Sequence, residues 1–148
     1  MLTSLDQLDI SKTLKAEISV SYQGLKGPPN HKILVNGETK WHDTSYAYLS
    51  SVVCEHEFDI LSSLVIEIEI FDKDYENDPD SAVIIDNIII DGISIMPTFL
   101  QYSRYFNDKN WTEPTTHLGF NGVWQFVIPE AFYRWYHKVN GQGWLLYP

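Results

Sequence analysis

The amino-acid sequence predicts a mainly β fold, an antiparallel β-sandwich of jelly-roll-like type with one short C-terminal helix. Apolar residues recur at every second position in several short runs, the mark of strands with one buried face. Gly, Pro and Asn punctuate those runs where tight turns would fall. Only one stretch, near the C-terminus, spaces its apolar residues as a helix does. Two packed sheets would bury one face each, as the alternation demands.

The elements follow in chain order. In AEISVSY, Ala16, Ile18, Val20 and Tyr22 share one face. GLKGPPN then breaks the pattern with two Gly and two Pro. HKILVNGETKW carries Asn36-Gly37, the dipeptide best suited to a two-residue type I′ hairpin. CEHEFDI puts Cys54, His56, Phe58 and Ile60 on one side and its acids on the other. LVIEIEIF points Leu64, Ile66, Ile68 and Ile70 inward, with Glu67 and Glu69 outward. AVIIDNIIIDGISI is β-branched almost throughout, and its Asp91-Gly92 marks a second hairpin. Ile18, Val20, Phe58, Ile66, Ile68, Ile85 and Ile88 are the expected core.

After Met96-Pro97 the character changes, since residues 97–148 hold fourteen of the twenty-one aromatics. Asn121-Gly122 is a third hairpin signal. PEAFYRWYHKVNG is the helix candidate: Pro129 suits the first turn, Glu130 the positive end, His137 and Lys138 the negative end, and Gly141 the stop. Its stripe of Phe132, Trp135, Tyr136 and Val139 would pack on the sandwich. About fifty residues make a weak independent domain. The chain is therefore read as one domain over residues 1–148, with 97–148 an aromatic-rich C-terminal elaboration.

Composition removes several classes. A net charge of −10, with Lys and Arg scattered, repels phosphate backbones, so no nucleic-acid partner is expected. The apolar runs are too short for membrane insertion. MLTSLDQLDISKTLK lacks a basic start followed by an apolar stretch, so no secretory leader is expected. A single cysteine, Cys54, excludes an internal disulfide framework and suits synthesis in a reducing cytoplasm.

The chemistry-bearing clusters are few. FDKDYENDPD crowds Asp72, Asp74, Glu76, Asp78 and Asp80 into one loop beside a buried strand. Either a cation holds such a loop together or it is a solvated turn. An EF-hand is excluded, because the sixth position is Asn77 rather than Gly and the twelfth is Val83. For a calcium ion held in another way, the candidate donors are Asp72, Asp74, Asp78, Asp80 and Asp86. Asp86 shares alternation with Ile84 and Ile88, so it also reads as a structural acid bonded to backbone. The five histidines show no metal-ligand spacing, and His56 reads as a satisfied core residue. Cys54 alternates with apolar neighbours and reads as an inert thiol. There is no nucleophile elbow, phosphate loop or dinucleotide fingerprint, so the chain is read as non-enzymatic.

Two resemblances add to this reading. LVIEIEIFDKD followed by DSAVIIDNIIIDG, with Asp80, Asp86 and the Asp91-Gly92 turn, resembles small calcium-dependent xylan-binding modules. That likeness covers roughly residues 14–95. It implies a jelly-roll sandwich whose loop holds one Ca²⁺ near sugar hydroxyls. A second likeness covers more of the chain. ISVSYQG, ILVNGE and IEIEIFDKD…DSAVIIDNIIIDGI, together with HLGFNGVWQFVIPEAFYRWYHKVNGQGWLLYP, are similar to small virion-associated proteins of marine and cyanobacterial tailed bacteriophages. It carries over no catalytic residue, and Pro79 interrupts a loop that in those relatives is richer in Asp and Gly.

The second resemblance implies a non-enzymatic structural or adhesive part of a tailed-phage virion, in the tail, neck or fibre, made in the host cytoplasm. Its partners would be other virion proteins or copies of itself, joined through apolar interfaces, with a host surface glycan as a further ligand. Trp144, Leu145, Leu146 and Tyr147 are the expected interface, since free apolar ends are costly. The alternative is a calcium-dependent carbohydrate-binding module, in which Trp41 or Tyr75 would stack on a sugar ring.

Overall fold

The computed structural model describes residues 13–25, 27–43 and 51–140. Its strands are β1 (Thr13–Gln23), β2 (His31–Val35), β3 (Glu38–Asp43), β4 (Ser51–Asp59), β5 (Leu64–Ile70), β6 (Ala82–Ile90), β7 (Ile93–Ser94), β8 (Ser103–Asn107), β9 (His117–Leu118) and β10 (Gly122–Ile128). One helix, α1 (Phe132–Val139), follows, and a 3₁₀ turn at Leu100–Tyr102 precedes β8. The strands form two antiparallel sheets. One runs β4-β1-β6-β7, with β9 also paired to β6, and the other runs β3-β2-β5-β10-β8. The antiparallel β-sandwich expected from the alternation is the fold. Among the described residues no helix is long and apolar enough to cross a membrane.

The core forms where the alternating faces meet. Ile18, Val20, Ile66, Ile68 and Ile88 are fully buried, and Phe58 and Ile85 nearly so. That Ile85 and Ile88 both point inward requires a break in the two-residue period. The β1–β6 register supplies it: Val20 faces Ile85 and Ser19 faces Asn87, which leaves Asp86 as the extra residue of a bulge. Asp86 is thereby turned outward, away from the face that unbroken alternation gives it. It accepts a hydrogen bond from Ser21 Oγ at 2.9 Å rather than from backbone.

Two of the three turn signals hold. Asn36 and Gly37 have φ of +50° and +79°, and Asp91 and Gly92 have +49° and +81°, as type I′ turns require. The third does not. Asn121-Gly122 joins no hairpin, because β9 pairs with β6 while β10 pairs with β5 and β8. Residues 97–140 are woven into both sheets by these strands.

The helix begins at Phe132, later than Pro129 suggests. Its stripe lands as the spacing predicts, with Phe132 and Trp135 buried and Tyr136 and Val139 packed beside them. Trp135 meets Phe99 and Phe126 edge to face, with centroids 5.5 and 5.7 Å apart. Tyr133 donates its hydroxyl proton to Asp91. Burial first, and that bond second, push the Tyr133 phenol up to about 12. The helix so bridges the sheets at the end where Ile128 and Leu64 pair. The opposite end, at Gly122, Ile70 and Asn107, carries the loops that matter next.

Candidate functional site

The acidic loop between β5 and β6 does not gather its carboxylates on a point. Asp72 sits at φ +50°, and its carbonyl accepts from Asn30 Nδ2 at 3.3 Å. Asp74 closes a local turn by accepting from the backbone N–H of Glu76 and of Asn77, at 3.2 and 3.0 Å. Asp78 is buried and accepts from Leu25 N at 3.1 Å, which docks the β1–β2 loop. Asp80 offers its carbonyl to Gln23 Nε2 at 3.0 Å. Asp86 lies on the β6 bulge. Among the described residues no three His, Cys, Asp or Glu side chains converge where a metal ion could sit.

The centre of the loop is a lysine. Lys73 is 8% exposed. Its Nζ donates to the carbonyls of Pro79 and Ser81, each at 2.8 Å, and to that of Gly119. Its backbone N–H donates to Asn121 Oδ1 at 2.9 Å. Burial pulls the Lys73 amine below the usual lysine range, while the charges of Asp78, Asp80 and Asp108 oppose that pull.

Tyr75 is tied into the same structure. Its hydroxyl donates to Asp108 Oδ1 and accepts from Asn121 N, and Lys109 Nζ lies 4.3 Å from its ring centroid. The ring expected to stack on a sugar thus carries a cation of the chain itself. Trp41 is half-buried and packs against the core. Its indole N–H has no hydrogen-bond partner among the described residues, and neither has His56 Nδ1. His56 is half-buried on its strand. Burial first, and Lys40 second, hold its pKa below the ordinary histidine value. Cys54 is buried, and desolvation pushes its thiol up to about 11. Such a thiol is not a nucleophile at neutral pH. Trp144, Leu145, Leu146 and Tyr147 lie outside the described residues, as does Gly141.

A feature the sequence reading missed lies beside the loop. β8 is an edge strand, and Phe106 on its outer face is 58% exposed. Trp111, in the segment after β8, is 45% exposed. With Arg104, Asn107 and Asn110 they line a shallow open depression of about 470 Å³. Trp111 is fixed despite its exposure. Asn107 Oδ1 accepts from its backbone N–H at 3.0 Å, Asn107 Nδ2 donates to its carbonyl at 2.9 Å, and its indole N–H donates to Glu113 O at 2.8 Å. The signal was a tryptophan in a run of turn residues, FNDKNWTEP, whose composition belongs at a surface.

No protein-family model matches the chain, and no curated protein sequence does. Two solved structures are similar at 15% identity. One is vCBM60 in complex with galactobiose, matched over 77% of this chain and 98% of that chain with a TM-score of 0.45. The other is a selenomethionine form of vCBM60, from work linking two families of calcium-dependent carbohydrate-binding modules by circular permutation. It is matched over 78% of this chain and 92% of that chain with a TM-score of 0.49. The tailed-phage likeness has no counterpart among these findings.

Proposed function

We propose that the chain is a non-catalytic carbohydrate-binding β-sandwich whose ligand lies on the ledge of Phe106 and Trp111. The observation that carries this reading is the clamped, solvent-facing indole of Trp111. An aromatic ring held open to water costs free energy unless something covers it. A pyranose offers an apolar C–H face to such a ring and hydroxyls to a polar rim. Here Arg104 supplies donors, and Asn110 supplies both donors and acceptors. Fixing the ring beforehand removes ordering entropy from binding. The net charge of −10 favours a neutral glycan over an acidic one. An adhesive subunit of a particle would use the same ledge, so glycan binding is common to both readings of the sequence. The virion part of that reading rests on sequence resemblance alone.

Affinity electrophoresis through gels containing soluble xylan, galactan or other neutral polysaccharides tests the reading. Wild type should be retarded by at least one polymer. Trp111→Ala should run as in a polymer-free gel, while its thermal midpoint stays near that of wild type. Equal retardation of both proteins, or none of wild type in any gel, sinks the proposal.

A further inference from the structure

We propose that Lys73 supplies the cation of the acidic loop: its ammonium holds the place a divalent ion would take, and residues 72–81 are locked without metal. A lysine ammonium has three donors and no acceptor. Here all three are used, on the carbonyls of Pro79, Ser81 and Gly119. A shell of backbone carbonyls with carboxylates behind it is what a hard cation also seeks. The carboxylates are those of Asp78 and Asp80, whose charges favour the protonated amine. The ammonium therefore joins two stretches of chain, the 72–81 loop with its Pro79 and Ser81 carbonyls, and Gly119 after β9. Asp78 extends the node to the β1–β2 loop through Leu25 N. A divalent ion has no room to share that position with a buried ammonium, and like charges repel at such range. This answers the dilemma of the acidic loop. A cation does hold it, and the cation is covalently part of the chain.

The inference concerns the loop and not the aromatic ledge, so glycan binding can fail without touching it. Two measurements use the unaltered protein. In the first, sulfo-NHS-acetate labels native lysines and mass spectrometry reads each site. Lys73 should react at least about tenfold more slowly than the exposed Lys138, because its amine must be released by local opening. In the second, thermal midpoints in millimolar CaCl₂ and in EGTA should agree within about 1 °C. A third measurement uses Lys73→Met, which keeps the stem and removes the charge. Its midpoint should fall by roughly 5–10 °C. Labelling of Lys73 as fast as Lys138 overturns the proposal. So does a calcium-dependent rise of several degrees in wild type, or a Lys73→Met protein that melts with wild type.

Discussion

Tyr75 donates its hydroxyl proton to Asp108 Oδ1 at 2.7 Å, and through that bond the acidic loop braces the segment that carries the aromatic ledge. The same hydroxyl accepts from Asn121 N at 2.8 Å, so three loops meet on one oxygen. Asp108 follows Asn107, whose side chain clamps Trp111 from both sides of its peptide. Removing the hydroxyl leaves the Asn121 N–H without this acceptor and frees the Asp108 carboxylate. Tyr75→Phe should cost about 1–2 kcal/mol in urea unfolding. It should also speed amide exchange across residues 107–112 more than across β5. Uniformly faster exchange would show a general loss of stability and no brace.

The core prediction is simpler. Ile68 is fully buried on β5 and faces Ile33 on one neighbour strand and Trp124 on the other. Ile68→Ala removes three heavy atoms from the middle of the second sheet, and the paired strands limit collapse into the space. The loss should be about 2–5 kcal/mol with an unchanged denaturant slope. A loss below about 0.5 kcal/mol would place this face outside the core.

The strands were legible because burial on one face forces a period of two, and a period of two survives in the sequence. The inward face of β5 could be read residue by residue for that reason. A bulge cannot be read so, because it shifts the phase without changing composition, and unbroken alternation puts Asp86 on the wrong face. The site was less legible than the fold. Five carboxylates dominate FDKDYENDPD, and the lysine among them has no pattern of its own. Whether a lysine in a loop points to water or into a carbonyl cage depends on Gly119, more than forty residues on. Phe106 and Trp111 line one depression through a loop clamped by one asparagine, which leaves no periodic trace.

Gly122 shows the same limit, and it can be tested. Its φ is +154°, and a Cβ would lie 2.0 Å from the Phe106 carbonyl oxygen and 2.7 Å from Asn107 Cα. The glycine is there for the close approach of β8 to β10, and not for a turn. Gly37, in a real hairpin turn, has nothing within 4 Å of its would-be Cβ. Gly122→Ala should therefore cost about 3 kcal/mol or more, since backbone must move. Gly37→Ala should cost only the strain of a positive φ, about 1 kcal/mol. Paired urea melts of the two variants decide it, and equal losses would refute the distinction.

Alkaline pH should weaken the fold through Cys54. In the unfolded chain the thiol ionises near its ordinary value of 9.0, whereas burial holds the folded thiol neutral to about 11. Between those values the unfolded state has released a proton that the folded state keeps. Stability must then fall as pH rises, because the unfolded state binds fewer protons. The contribution is intact below pH 9 and is lost as pH rises through about 11, and it amounts to roughly 3 kcal/mol in full. Tyr133, with its phenol pushed up to about 12, adds a similar slope at higher pH. That slope is common to wild type and Cys54→Ala and cancels in their difference. Cys54→Ala leaves a small cavity at every pH, so it should be less stable than wild type at pH 7. The gap should narrow by about 1 kcal/mol by pH 10, since wild type alone loses the thiol's share. A gap that stays constant from pH 7 to pH 10 would show that the thiol titrates alike in both states.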